Sequence, residues 1–300
     1  MVSQLGSRKK FKSHPLVFSL TLCYLLALSG CINVNIAGLG NTQSASNFIV
    51  QSLTGQKDAL LVYEALPNYL LLIDTAIVND PSNSDFLLAG AGLYGLYSLF
   101  FIEDPVRNVQ LASRGLEYAE QLLCISIEDL CNPRAINYQE FQSRLESKQL
   151  SDIDTLYTYS LALLSYIKAT GGDWQSIAFL PWAQRMLEQI IKIDELYNNG
   201  SSYVYLGILD ALRPPALGGD LGRAEEYFNR AIDLSGGRNL SAKVNYARYV
   251  ARGQFNQALH DRLLQEVIDA DIDDINFNFF NTLAKHDAYL MLEQSESFFN

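Results

Sequence analysis

Residues 221–235 read LGRAEEYFNRAIDLS, and this stretch decides the fold. A small residue, a large aromatic residue and another small residue stand at offsets of four and three, as Ala224, Phe228 and Ala231. These offsets share one face of an α-helix, and the second helix of a tetratricopeptide repeat uses the same spacing. The small residues let a neighbouring helix approach closely, and the large one fills the gap between helix pairs. The stretch therefore predicts one member of a stacked helix pair.

The same spacing recurs earlier in the chain. Two more triads have it: Ala112, Leu116 and Ala119, and Ala183, Leu187 and Ile190. A fourth match is partial, because Ala258 is followed by Arg262 at the position of the large residue. The sequence therefore predicts a degenerate, tetratricopeptide-like superhelix, built as an array of antiparallel helix pairs.

Helical periodicity covers residues 57–300, and no period-two alternation bounded by turn residues interrupts it. We therefore predict an all-α domain over this range. Breaker residues place its helices approximately at 57–65, 68–78, 84–102, 106–126, 136–148, 151–170, 174–197, 201–212, 221–235, 239–252, 254–270 and 275–297.

Three glycines raise the question of a cofactor. Gly90, Gly92 and Gly95 have the G-x-G-x-x-G spacing of a dinucleotide-binding loop. Such a loop follows a strand, whereas residues 80–85 read DPSNSD, a turn and helix N-cap. We interpret the glycines as points of close helix packing and predict no cofactor.

The N-terminal segment indicates export. Four Lys and Arg residues between positions 8 and 12 precede an apolar run over residues 15–28, which is typical of a signal peptide and too short to span a bilayer. The sequence Leu28-Ser29-Gly30-Cys31 resembles the bacterial lipobox. That resemblance implies cleavage after residue 30 and lipid attachment at Cys31. Ile32, in place of Asp, favours the periplasmic face of the outer membrane.

The mature chain is strongly acidic. Residues 31–56 are rich in Asn, Gly and Ser and predict a flexible tether. Removing residues 1–30 takes four of the 22 basic residues and none of the 33 acidic ones, which leaves a net charge of −15. Nucleic-acid binding needs clustered positive charge and is therefore excluded. The acidic chain also repels anionic lipid, so we expect the lipid anchor at Cys31 alone to attach the protein to the membrane.

Two cysteines, Cys124 and Cys131, remain in the mature chain besides Cys31. In an oxidising periplasm they can pair. Closing so short a loop would add roughly 2–3 kcal/mol in the chain-entropy model. Two free buried thiols are the equally open alternative.

Other catalytic and metal signals are weak. His260 and His286 have no zinc-ligand spacing and are predicted to be solvated on helix surfaces. The run Asp269, Asp271 and Asp273 lacks the Gly and Glu that a calcium loop requires. No nucleophile elbow, phosphate loop or Cys/His pair appears either. We therefore predict neither a metal nor an enzymatic activity.

Tyrosine is abundant, with 17 residues beside 15 Phe. Many Tyr side chains lie on the first helices of pairs, which line the concave side of such arrays, and a phenol offers an apolar ring with a polar tip. The candidate ligand residues are Tyr97, Tyr157, Tyr205, Tyr246 and Tyr249, with Arg213 and Arg248 for a carboxylate. For each tyrosine the alternative is packing in the core or at its rim. For the arginines the alternative is an ion pair with a surface acid.

The order of features along the chain resembles a known family. These features are the lipobox, Ala65-Leu66-Pro67, Asp80-Pro81-Ser82-Asn83, Leu206-Gly207, Arg213-Pro214, the 224–231 triad, Asn239-Leu240 and Tyr246-Ala247. Together they are similar to the T-component (TatT) lipoproteins of tripartite ATP-independent periplasmic (TRAP) transporters. The resemblance implies a homotrimer that docks a periplasmic solute-binding protein and passes a small hydrophobic or organic-acid ligand. It carries over no catalytic residue.

A general tetratricopeptide scaffold is the alternative function. Such a lipoprotein would organise envelope assembly without binding a small ligand. The fold prediction is the same for both functions, so a partner or a ligand has to discriminate between them.

Overall fold

The computed structural model describes residues 51–146 and 152–300. Within these two ranges the elements are helices joined by short turns, without a strand, so the all-α prediction is confirmed. The predicted signal peptide, Cys31 and most of the predicted tether lie outside the described residues.

Residues 51–54 are helical, and from Ala59 onward the described ranges contain thirteen α-helices, which we number in chain order. They are α1 (Ala59–Asn79), α2 (Ser84–Phe101), α3 (Pro105–Ser126), α4 (Tyr138–Glu146), α5 (Ile153–Ala169), α6 (Trp174–Ile177), α7 (Leu180–Ile193), α8 (Ser201–Leu212), α9 (Leu221–Leu234), α10 (Leu240–Asn245), α11 (Gln257–Asp269), α12 (Asn278–Glu293) and α13 (Ser295–Phe299). Helix α10 continues directly into a π-helix, Tyr246–Ala251.

The three predicted triads form the seams between helices. They lie on α3, α7 and α9, and every one of their nine side chains is at most 2% exposed. These helices pack on α2, α5 and α8 respectively, which makes the predicted antiparallel pairs. The packing role of the triads is therefore confirmed.

The register of the fourth unit was predicted wrongly. Ala258 and Arg262 are exposed on α11, and His260, Leu263, Leu264 and Val267 are buried in their place. The predicted register would bury the guanidinium of Arg262 without a partner, which is costly in free energy. The helix instead presents its apolar residues to the core.

Pro67 does not end a helix as predicted, because α1 runs through it. A proline inside a helix costs about 3 kcal/mol. Leu66, Leu70 and Ile73 are among five buried α1 residues at helical spacing, and their packing against α2 holds the helix together across the proline. The predicted helix 174–197 is in fact interrupted, since Pro181 starts α7 in its first turn.

The glycines of α2 divide into two kinds. A Cβ on Gly90 would lie 2.9 Å from both Ile77 Cδ1 and Tyr118 Cδ2, so close packing is confirmed there. Gly92, which is exposed, and Gly95, which is buried, both have open space where a Cβ would be, so the packing interpretation is wrong for these two.

A single carboxylate ties the first three helices together. Asp74 on α1 accepts hydrogen bonds from Tyr94 OH on α2 (2.8 Å) and from Tyr118 OH on α3 (2.7 Å). Burial, together with Asp74, raises the pKa of Tyr118 to about 12, so this phenol stays a donor at neutral pH. Further along α3, Cys124 forms a disulfide with Cys131 across the following turn.

The array closes on itself, because α12 packs against α1. Asn278 Nδ2 donates to the carbonyl oxygen of Gly55 at 3.2 Å. The ring centroids of Phe280 on α12 and Phe100 on α2 lie 6.0 Å apart. The two ends of the helical array therefore meet.

Two of the described helices, α1 and α2, are long and apolar enough to cross a membrane by length and composition. Half of the α2 window is buried, as for a core helix, whereas only 28% of the α1 window is buried. Helix α1 therefore presents an unusually apolar outer face.

Candidate functional site

Three phenols meet between α5 and α8. The ring of Tyr157 on α5 lies 6.3 Å from that of Tyr205 on α8 and 5.3 Å from that of Tyr197, which precedes α8. Both contacts are edge-on, the arrangement that aromatic pairs favour. The structure therefore brings together two of the five candidate tyrosines and adds a third that the sequence analysis missed.

The turn before α8 places the third ring. Asn198, Asn199 and Gly200 all have left-handed backbone conformations, with φ of 47°, 54° and 74°. Asn and Gly are the residues that adopt this region most easily. The turn directs Asn198 Nδ2 to Tyr157 OH at 3.1 Å, and Tyr197 OH donates to Asp154 at 2.5 Å.

Burial raises the pKa of both Tyr157 and Tyr205. Each side chain nevertheless keeps partial solvent access. A phenol that is surrounded by protein and still reached by solvent lines a concave surface. At neutral pH both groups remain protonated and can donate a hydrogen bond.

One cation of α5 and one of the π-helix each have a partner on another helix. Lys168 Nζ, near the end of α5, donates to the carbonyl oxygen of Leu99 at 2.9 Å, and Arg248 Nη2 pairs with Asp287 on α12 at 2.6 Å. Burial lowers the pKa of Lys168, and the positive charge of Arg248 lowers it further, while Asp287 offsets part of this. Sequence analysis had not singled out Lys168.

Arg248 belongs to the π-helix, as do Tyr246 and Tyr249. Such segments are rare and occur frequently at functional sites. Arg252 follows directly, and burial and the charge of Arg248 lower its pKa. Its Nη2 is buried without a hydrogen-bond partner in the structure.

The other candidates lie elsewhere. Tyr97 is only 3% exposed, and Tyr246 is 5% exposed and stacks on Phe228 at 5.9 Å. Arg213 donates to the carboxylate of Asp210 at 2.6 Å and to the carbonyl oxygen of Leu209. Tyr249 is half-buried among the C-terminal helices. Tyr157, Tyr205 and Arg248 therefore keep partial solvent access, whereas Tyr97 and Tyr246 belong to the core.

Comparison with known families decides the identity. The family model described as TRAP transporter T-component matches residues 55–299. The chain belongs to the TRAP transporter T-component family. This T-component is therefore an accessory component of TRAP-type transport, associated with the cell envelope, in a family that is not known for enzymes. No curated protein matches the chain.

Two surface depressions of the T-component lie away from the phenols. Each has a volume of about 520 Å³ and opens widely to solvent. One includes Lys243 and Arg262, both of which pair with Glu266. The other borders the disulfide at Cys124. The charged residues of the first depression are already paired and those of the second are acidic, so we take the phenols between α5 and α8 as the candidate site instead.

His260 of the T-component is fully buried, so its predicted position on a solvated surface is wrong. Its Nε2 accepts from Arg252 Nε at 3.2 Å, and its Nδ1 faces Asp261 at 2.8 Å. Helix α13 folds back and places Phe299 against the imidazole at 5.1 Å between ring centroids. This long-range cover is the reason for the burial. His286 is exposed, as predicted.

We expect stability to fall in mild acid because of His260. Burial lowers its pKa, and Arg252 adds to this while Asp261 offsets part of it. The unfolded state, with a pKa of about 6.5, then binds the proton more tightly. The free energy of unfolding should decrease as the pH falls below about 6.5 and level off below the folded-state pKa.

Urea denaturation at pH 8 and pH 5 measures this loss. The variant His260→Gln should lose less stability between these pH values than the parent chain. The matched variant His286→Gln, at an exposed histidine, should lose as much as the parent. An equal loss in His260→Gln and the parent would assign the acid sensitivity to other groups.

Proposed function

We propose that this chain is a periplasmic lipoprotein of the outer membrane that binds the solute-binding protein of a TRAP system and its small organic-acid or hydrophobic ligand. The observation that carries this proposal is the family match over residues 55–299. The half-buried phenols of Tyr157 and Tyr205 support it, because an apolar ring with a polar tip suits a small molecule that has both apolar and polar groups.

The lipobox supports an anchor at Cys31. Two or more acyl chains hold a soluble domain stably on a membrane. The tether between Cys31 and α1 lets the domain stand off the lipid and meet a soluble periplasmic partner.

We also propose a homotrimer, and we assign its contact to the outer face of α1. Six large apolar side chains of this helix are exposed: Leu60, Leu61, Tyr63, Leu71, Leu72 and Val78. An apolar face of this extent marks an interaction surface. Because α1 lies near the tethered end of the domain, confinement of neighbouring anchored copies on the membrane favours contact between their α1 faces. Glu64 lies within the face and opposes its insertion into lipid.

Purification from cross-linked envelopes tests the function. We expect the tagged lipoprotein to bring down a TRAP solute-binding protein, identified by mass spectrometry. Native mass spectrometry of the purified assembly should count three copies of this chain. A charge in the α1 face, as in Leu71→Asp, should reduce the count to one.

The matched control is Val106→Asp, because Val106 is as exposed as Leu71 but lies on α3. It should keep three copies. Recovery of envelope-assembly proteins without a solute-binding protein would favour the general scaffold. A single copy of the parent chain would overturn the trimer.

A further inference from the structure

The short C-terminal helix α13 folds back from the end of α12 and packs on α11. Only two of its five side chains are buried, those of Ser295 and Phe299. These two residues are four positions apart and therefore share one helix face. The other three side chains are exposed. The docking of α13 therefore depends on what these two side chains contact.

Both anchoring side chains contact one histidine–carboxylate pair near the start of α11. Ser295 Oγ donates to Asp261 Oδ1 at 2.5 Å and accepts from Gln257 Nε2 at 3.3 Å. The ring of Phe299 lies edge-on to the imidazole of His260, with the ring centroids 5.1 Å apart. Asp261 in turn faces His260 Nδ1 at 2.8 Å. A change at His260 therefore reaches both anchors of α13.

Phe255 gives Phe299 a second support, with ring centroids 5.2 Å apart. Phe255 ends the helix before α11, where Asn256 N donates to the carbonyl oxygen of Ala251 at 2.8 Å. Its φ of 53° is in the left-handed region, which glycine usually occupies at such a helix end. A phenylalanine is strained there. Glycine would relieve that strain but would lack the ring that contacts Phe299.

The hydrogen bonds of His260 require its neutral form. Its Nε2 accepts from Arg252 Nε at 3.2 Å, so the single proton lies on Nδ1, toward Asp261. Burial lowers the pKa of His260, Asp261 offsets part of this, and Arg252 lowers it further. From α13, the groups packed around this pair are the ring of Phe299 and the hydroxyl of Ser295, which are both uncharged. The closed arrangement therefore opposes a second proton on the imidazole.

Protonation of His260 would break this arrangement at a defined place. Nε2 would become a donor and could no longer accept from Arg252, whose Nη2 is already buried without a partner. A fully buried imidazolium beside a guanidinium is costly unless it reaches water. Phe299 covers the imidazole, so lifting α13 gives water access while it disturbs only two buried side chains.

The connection between α12 and α13 allows such a movement. It consists of Gln294 alone, with φ of −92° and ψ of −1°, close to the α-helical region. Residues 278–299 contain neither proline nor glycine. A modest rotation at Gln294 would therefore extend α12 into α13 as one continuous helix, which would carry Phe299 away from His260.

We propose that α13 is a pH-sensitive strap, closed over His260 while the imidazole is neutral and swung out about Gln294 when the imidazole takes up a proton. Opening exposes Phe299 beside Phe298 and Phe255, which are already exposed. The strap therefore adds to an aromatic surface at the C-terminal end of the array only in mild acid. Because the open form binds the proton with the ordinary histidine pKa of about 6.5, opening becomes more favourable as the pH falls below that value.

Trimming by carboxypeptidase Y, followed by intact mass spectrometry, tests the strap on the mature chain carrying Cys31→Ser. The protease has to remove Asn300 and then Phe299, which is buried in the closed form. A free peptide of residues 295–300 corrects for the pH dependence of the protease itself. We expect the relative rate of Phe299 removal to rise about tenfold from pH 7.5 to pH 5, with a limit of about thirtyfold for one proton taken up at a pKa of about 6.5. Circular dichroism should show the same helix content at both pH values.

Three variants separate the strap from general acid sensitivity. His260→Gln keeps an uncharged side chain and should be trimmed at the same relative rate at both pH values. The matched variant His286→Gln, at an exposed histidine of α12, should keep the rise of the parent chain. Ser295→Ala removes one anchor and should speed trimming already at pH 7.5.

Three results would overturn the proposal. The first is an equal relative rate at both pH values in the parent chain. The second is a rise in His260→Gln as large as in the parent. The third is trimming that begins only together with a loss of helix content, because α13 would then be released by unfolding of the whole array.

Discussion

Phe228→Ala should lower the free energy of unfolding by about 3–5 kcal/mol, the cost of removing a buried aromatic side chain. Phe228 is fully buried at the centre of the α9 triad. Its ring stacks on Tyr246 and faces Gly207 of α8, where an added Cβ would lie 3.0 Å from the ring. The two helices have closed around this ring, so the smaller side chain leaves a cavity.

Urea denaturation followed by circular dichroism measures the effect. Tyr289→Ala is the control, because Tyr289 is a helical aromatic residue that is 56% exposed. It should change the free energy of unfolding by less than about 1 kcal/mol. A similar small change for Phe228→Ala would mean that the triads do not carry the packing between helix pairs.

Asp210→Asn should cost about 3 kcal/mol or more, because it leaves two arginines without their counter-charge. Asp210 is 1% exposed near the end of α8. Its carboxylate accepts from Arg213 Nη2 at 2.6 Å and from Arg223 Nη2 at 2.9 Å. Arg223 also donates to the carbonyl oxygen of Gly218. The carboxylate therefore holds the whole connection between α8 and α9 in place.

Thermal unfolding and limited proteolysis measure this change. Asp210→Asn should lower the Tm and open the connection over residues 213–219 to cleavage. Glu195→Gln is the control, because Glu195 pairs with Arg230 on the exposed surface and should leave both readouts nearly unchanged. An unaltered Tm in Asp210→Asn would show that water solvates Arg213 and Arg223 equally well and that the Asp210 carboxylate does not stabilise the fold.

The helix pairs could be predicted because their signal is local. Three residues at offsets of four and three identify a buried contact between helices, independently of the rest of the chain. All three triads are buried. The partial fourth unit failed where the signal was ambiguous. Arg262 occupied the large position, and the buried register of α11 is set instead by contacts with α12 and α13.

The functional candidates could be predicted only in part. Composition and helix position selected seven candidate ligand residues without distinguishing core from cleft: Tyr97, Tyr157, Tyr205, Tyr246, Tyr249, Arg213 and Arg248. Tyr246 and Tyr157 are both tyrosines on helices. Tyr246 nevertheless stacks on Phe228 in the core, whereas Tyr157 keeps partial solvent access. Lys168 could have been found from the sequence, because it lies eleven residues after Tyr157 and therefore on the same helix face. That periodicity shows that the two residues share a helix face, but it does not specify which other helices pack near this face.

The sequence by itself determined the all-α class, the seams between helix pairs and the acidity of the mature chain, because each depends on composition or on spacing within a few turns. Tertiary structure alone decided that α12 meets α1, that Phe299 buries His260, and that Arg248 pairs with Asp287. These partners are separated by tens to hundreds of residues along the chain. Their meeting depends on the accumulated rotation from each helix pair to the next, which short-range spacing does not specify.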